Sequence, residues 1–290
     1  MLTQTKRYPY SPMARREKMS FPDGARVAVL PYINIEHFPE NFPGTAMSPA
    51  TTAFEPDVLN YGWRDYGNRV GIWRMMKGLD KYGMRATVCL NSEVGREYPE
   101  IVEEGNKRSW EWMGHGHNNS QLLPGLEEDA ERKLINDVVA AIEKSTGSRP
   151  KGWLGPYVSE TYNTPDLLAE AGIEYLCDSC CDDQPFKMNV KSGSLISMPY
   201  SVECNDLPLA LYFGATGENM GQMIKDQFDV LYEEGADNAR VLAICLHTFI
   251  AGQPFRWKHI SAALEYIAGH DHVWHPTGGE INDWYRANHL

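Results

Sequence analysis

The chain has 290 residues, 42% of them hydrophobic and 23% charged, with a formal net charge of −12. That length and apolar content suffice for one barrel-sized domain with a full core. The acidity repels phosphates and so excludes a nucleic acid or an anionic membrane as partner, and no apolar run reaches the roughly 18 residues that a bilayer crossing takes.

Residues 1–24 read as an irregular arm ending in the turn Pro22-Asp23-Gly24, and residues 25–290 as the domain proper. Met1 to Ser20 has no apolar stretch of the kind that directs export, so cytoplasmic residence is expected. The cysteines agree. Cys89 and Cys245 lie in apolar runs, and the Cys177/Cys180/Cys181 cluster lacks the second pair that marks a zinc site.

The apolar run Arg26 to Ile33 predicts a strand buried on both faces, ending in Asn34-Ile35-Glu36-His37. Residues 38–67 predict a long, proline-rich loop whose aromatics favour packing over disorder. Val70, Trp73, Met76 and Leu79, at helical spacing, predict a helix over 69–82. A strand at 85–90 and a short helix at 97–104 follow. A third strand, 109–114, runs into His115-Gly116-His117-Asn118-Asn119. The stripe Ile135, Val138, Val139, Ile142 predicts a helix over 126–145, ended by Gly147 and Pro150. Strands at 151–154, 173–176 and 195–199 alternate with a helix begun by Thr164-Pro165, and another helix covers 220–232. The apolar run after Arg240 ends in His247, and a helix around 260–267, a strand at 272–274 and a helix at 279–286 complete the chain. Seven or eight strands separated by helices predict an α/β fold: a single-domain, irregular (β/α) barrel with mostly parallel strands.

Such a barrel pools its strand ends at one mouth. The ends carrying ionisable groups are Asn34/Glu36/His37, His115/His117 and His247. An acidic strand end, a histidine loop, the aromatic-proline loop Gly155-Pro156-Tyr157, Asp178 after a short strand and a late histidine resemble the polysaccharide deacetylase superfamily. Tyr66-Gly67-Asn68-Arg69-Val70-Gly71-Ile72-Trp73-Arg74 is similar to a signature of its allantoinase-like branch, to which cyclic-imide hydrolases look related. So are Pro199-Tyr200, Asn205-Asp206 and Phe228 to Gly235.

The resemblance implies a hydrolase cleaving a non-peptide carbon–nitrogen bond in a small amide, ureide or cyclic imide. Glu36 and His115 would activate water, and His247 would protonate the departing nitrogen. The family's first strand end usually carries two carboxylates, one serving as base and one as metal ligand. Here those positions hold Asn34 and Glu36. Its histidine motif has a second histidine four residues on, where this chain has Asn119. The expected cofactor is one divalent metal, zinc, on Glu36, His115 and Asn119, with a metal-independent route as the alternative. Glu160 and Asp178 stand where the family places orienting groups, though each could equally cap a turn. Trp63, Tyr66 and Tyr157 are expected to wall a substrate pocket, with Asn34 and Arg69 binding substrate. Surface ion pairing is the competing role for Arg69. A homo-oligomer is expected. Two other functions fit the same residues: a carbohydrate N-deacetylase, and a catalytically altered member that only binds its ligand.

Overall fold

The computed structural model describes residues 5–40 and 42–290. Residues 1–4 of the predicted arm and Asn41 of the predicted loop lie outside the described residues. The strands are β1 (Val27–Ile35), β2 (Thr87–Leu90), β3 (Glu111–Gly114), β4 (Gly152–Trp153), β5 (Tyr175–Leu176), β6 (Phe186–Met188), β7 (Leu195–Ser197), β8 (Arg240–His247) and β9 (Val273–Trp274). They form one sheet in the order β6-β7-β5-β4-β3-β2-β1-β8, with β9 added beside β1. Every pairing is parallel except β6 with β7. The sheet curls into a barrel that stays irregular, because several strands are only two or three residues long.

Helices α1 (Val58–Tyr66), α2 (Ile72–Lys81), α3 (Val94–Glu97), α4 (Pro99–Lys107), α5 (Glu128–Thr146), α6 (Thr164–Glu170), α7 (Asp206–Leu211), α8 (Gly217–Glu234), α9 (Pro254–Ala268) and α10 (Gly278–His289) fill the connections. Among the described residues no helix is long and apolar enough to cross a membrane.

Alternation along β1 sorts the core into two layers. Val27, Val29, Ile33 and Ile35 face the helices, with Ile72, Leu79 and Ile135. Ala28, Leu30 and Tyr32 point inside, with Met113, Tyr175 and Cys245. The arm is tied on by ion pairs, Arg7 to Asp166 at 2.9 Å and Arg16 to Asp182 at 2.6 Å.

The predicted barrel is present, with four local corrections. The 38–67 segment is not one loop: α1 occupies its end, and the Asp57 side chain caps it by accepting from Asn60 N–H. β6 went unseen because three residues carry no period. α7 was missed because it is a single short turn-rich helix with Pro208 inside it. Finally, α2 buries Ile72, Met75, Met76 and Leu79, while Val70 is exposed. A π-helical turn at Gly67–Gly71 shifts the phase of the apolar stripe before α2 starts.

Candidate active site at the carboxyl end of the sheet

Register assembles the site. β1 meets β8 at Asn34 and His247, β2 at Ile35 and Leu90; β2 meets β3 at Leu90 and Gly114, and β3 meets β4 at Gly114 and Trp153. Glu36, Asn91, His115 and Leu154 are each the next residue, so they stand at one level where the strands end. Glu36, His115 and His247 are 4%, 2% and 5% exposed. They line a single cavity of about 220 Å³ together with Asn34, Asn119 and Tyr157. A larger space of about 610 Å³, against the arm at Tyr8, Arg16 and Phe186, gathers no comparable set of buried titratable groups.

Glu36 Oε1 lies 3.4 Å from His115 Nε2 and 3.7 Å from His247 Nε2, while Glu36 Oε2 is buried without a partner. His115 Nδ1 is 2.7 Å from the Leu154 carbonyl, which can only accept, so Nδ1 carries a proton. Nε2 then faces Glu36 Oε1. His247 is fixed the same way: its Nδ1–H donates to Asp206 Oδ1 at 2.7 Å. Asp206 in turn accepts from the backbone N–H groups of His247 and Ala251 at 2.9 Å. Burial pulls the His247 pKa down, but the charges of Asp206 and Glu36 outweigh it and the net shift is upward. Its Nδ1 is turned to Asp206 and its Nε2 faces the cavity, and the upward shift favours the doubly protonated ring. Sequence reasoning placed Asp206 in a similar block but gave it no role. The signal was there: an Asn-Asp pair opens α7, and Asn205 closes a lone bridge to Cys245 of β8.

Other expected site residues divide. Asn34 is buried in the cavity wall, donating to Tyr200 Oη at 3.1 Å and the Leu246 carbonyl at 3.3 Å. Tyr157 covers the cavity, with its hydroxyl 2.8 Å from Thr45 Oγ1 on the long loop. Tyr157 and Val158 hold left-handed backbone, φ 57° and 54°, which is strained for a β-branched residue.

Trp63, Tyr66 and Arg69 do not line the cavity. Trp63 packs edge-on to Phe249 at 4.9 Å, Tyr66 accepts from Arg74 at 3.0 Å, and Arg69 is exposed beside Asp65. Their block instead clamps the site from behind. A Cβ on Gly67 would fall 2.4 Å from Thr248 Oγ1, and one on Gly71 2.0 Å from Thr248 O. Asn68 donates to the Glu36 carbonyl at 2.8 Å, and Arg74 to that of Gly252. Asp178 and Glu160 are also absent from the lining. Asp178 braces the Gly155 turn by accepting its N–H at 2.8 Å, and burial pushes its carboxyl well above the usual range. Burial raises Glu160 as well. His37 and His117 are engaged elsewhere, near Glu93 and on Ser92 Oγ, and burial lowers both.

The donor set does not fit the metal that the resemblance implies. Glu36 and His115 are two strong ligands. The third position, Asn119, has its oxygen accepting from Asn91 Nδ2 at 3.0 Å. His247 has Nδ1 on Asp206 at 2.7 Å and faces Glu36 Oε1 with Nε2 at 3.7 Å. Among the described residues no cluster of three or more His, Cys, Asp or Glu side chains is spaced to hold a metal ion.

A curled parallel sheet with a carboxylate and two imidazoles converging at its carboxyl mouth defines the class: an α/β barrel with a buried ionisable cluster at the strand ends. Residues 63–176 match the polysaccharide deacetylase family model. The matched stretch runs from α1 to the end of β5. A Schizosaccharomyces pombe protein bearing the polysaccharide deacetylase name is 28% identical over 244 residues, 78% of this chain and 75% of that one. The crystal structure of PuuE allantoinase superposes with a TM-score of 0.87 at 26% identity, covering 97% of this chain and 98% of that one. A Pseudomonas aeruginosa structure named for polysaccharide deacetylase gives 0.87 at 25% identity, over 97% and 99%.

Proposed function

We propose that the protein hydrolyses a non-peptide carbon–nitrogen bond in a small amide, ureide or cyclic imide. One observation carries this reading: Glu36 Oε1 and His247 Nε2 stand 3.7 Å apart in one buried cavity. Glu36 takes a proton from water, and the water oxygen bonds to the carbonyl carbon while the C=O pair moves onto oxygen. When that pair returns, the C–N bond breaks and the His247 Nε2 proton goes to nitrogen. Water and an amide thus give a carboxylic acid and an amine. His115 steadies the Glu36 carboxylate from the other side. A cavity of about 220 Å³ suits a small substrate, since drug-sized pockets start at roughly 300 Å³. The family-match signature and the PuuE allantoinase neighbour favour the same size class.

Deacetylation of an N-acetyl sugar is the second reading, favoured by the names of two of the proteins compared. The test is a panel of ureides, cyclic imides and N-acetyl sugars, each assayed with chelator and with added Zn²⁺. Ring opening supports the first reading and acetate release the second. Ligand binding with no product under any condition would overturn both and leave a binding protein.

A further inference from the structure

Tyr200 sits in the cavity wall beside Asn34, 5% exposed. Its hydroxyl oxygen accepts from Asn34 Nδ2 at 3.1 Å. That amide cannot be turned round, because its nitrogen also faces the Leu246 carbonyl at 3.3 Å, and a carbonyl only accepts. The phenol's single proton must therefore go elsewhere. Asn34 Oδ1 is 3.4 Å away, beyond the roughly 2.5–3.0 Å of a good O–H···O bond. The Cys245 sulfur lies within reach of the hydroxyl, but sulfur is a weak acceptor and Ser201 N–H already faces it at 3.4 Å. Both are poor acceptors, and a substrate oxygen in the cavity that Tyr200 lines would be a better one.

We propose that Tyr200 donates its hydroxyl proton to the substrate carbonyl oxygen as negative charge builds there, and that Asn34 aims this donor by giving rather than accepting a hydrogen bond. The proposal rests on the hydrolytic reading above and adds the group that stabilises its oxyanion. Burial holds the phenol well above its usual range, so it stays a donor across neutral pH. The amide at position 34 then has a reason of its own. A carboxylate there would be an acceptor and would draw the Tyr200 proton out of the cavity.

The experiment compares steady-state kinetics of Tyr200→Phe and Asn34→Asp on whichever panel substrate is turned over. Loss of one oxyanion donor predicts a kcat about 10²–10³-fold lower for Tyr200→Phe, with KM moved by only a few-fold. Asn34→Asp falls as well, and the double variant falls no further than Tyr200→Phe. Wild-type kcat in Tyr200→Phe, or a faster Asn34→Asp, would overturn the proposal. Raman spectra of the tyrosine ring, as wild type minus Tyr200→Phe and again in the Asn34→Asp background, read the hydrogen bond without turnover. An acceptor signature is expected in the first and a donor signature in the second. A donor signature in both sinks the aiming role of Asn34. If wild type is inert on every panel substrate, it is the hydrolase reading that fails, and the Raman comparison still decides the bond's direction.

Discussion

Asp206→Asn tests the acid–base assignment most sharply. In the wild type, burial lowers the His247 pKa, and the Asp206 charge is the largest of the opposing causes that raise it above its ordinary value of 6.5. Taking that charge away, from a contact of 2.7 Å, removes the largest cause of the rise. Glu36 alone then opposes burial, and the imidazole falls to or below its ordinary value. The alkaline limb of the kcat profile, where His247 loses its proton, moves to lower pH. Near pH 7.5 turnover drops roughly 10–100-fold, with much of it recovered in acid. Stability changes with the same sign. A raised histidine pKa stabilises the fold fully below pH 6.5, and that contribution disappears as pH climbs through the folded value. The variant lacks this slope. It also leaves a backbone N–H of His247 or Ala251 short of an acceptor, at about 1–3 kcal/mol. pH–rate profiles and thermal melts across pH 5–9 measure both. An alkaline limb that stays in place would refute the general-acid role of His247.

Glu36→Gln and His247→Ala are each expected to lower turnover by about 10²–10⁴-fold while far-UV circular dichroism stays native; wild-type rates in either would discard the pair. Exhaustive dialysis against chelator is expected to leave the rate unchanged, because Glu36, His115 and an engaged Asn119 do not make a strong ligand set; loss of activity restored by Zn²⁺ would contradict this. Gly71→Ala puts a methyl 2.0 Å from the Thr248 carbonyl. It should cost about 1–3 kcal/mol and lower the melting temperature by a few degrees, along with activity, since that turn follows His247 directly. An unchanged melting curve would mean the clamp is looser than drawn.

The long apolar runs and strong helical stripes were legible in the sequence, and with them the barrel. So were Glu36, His115 and His247, because strand ends in a parallel sheet point one way. Asp206 was not: its role depends on α7 packing against β8 forty-one positions later in the chain, and no local pattern encodes that distance. Tyr66 and Arg69 misled for the opposite reason. Aromatic and cationic side chains in a dense motif resemble a binding surface, yet here the glycines between them do the work, letting a helix touch the turn after His247.

The sequence by itself determined which segments become strands and therefore which side chains stand at the mouth, because burial period and strand direction are local properties of the chain. Only the tertiary structure decided which way Asn34 and Asn119 turn their amides, where His247 keeps its proton and which loops close the cavity. Those outcomes depend on hydrogen-bond partners that residue order leaves far apart and only packing brings within reach.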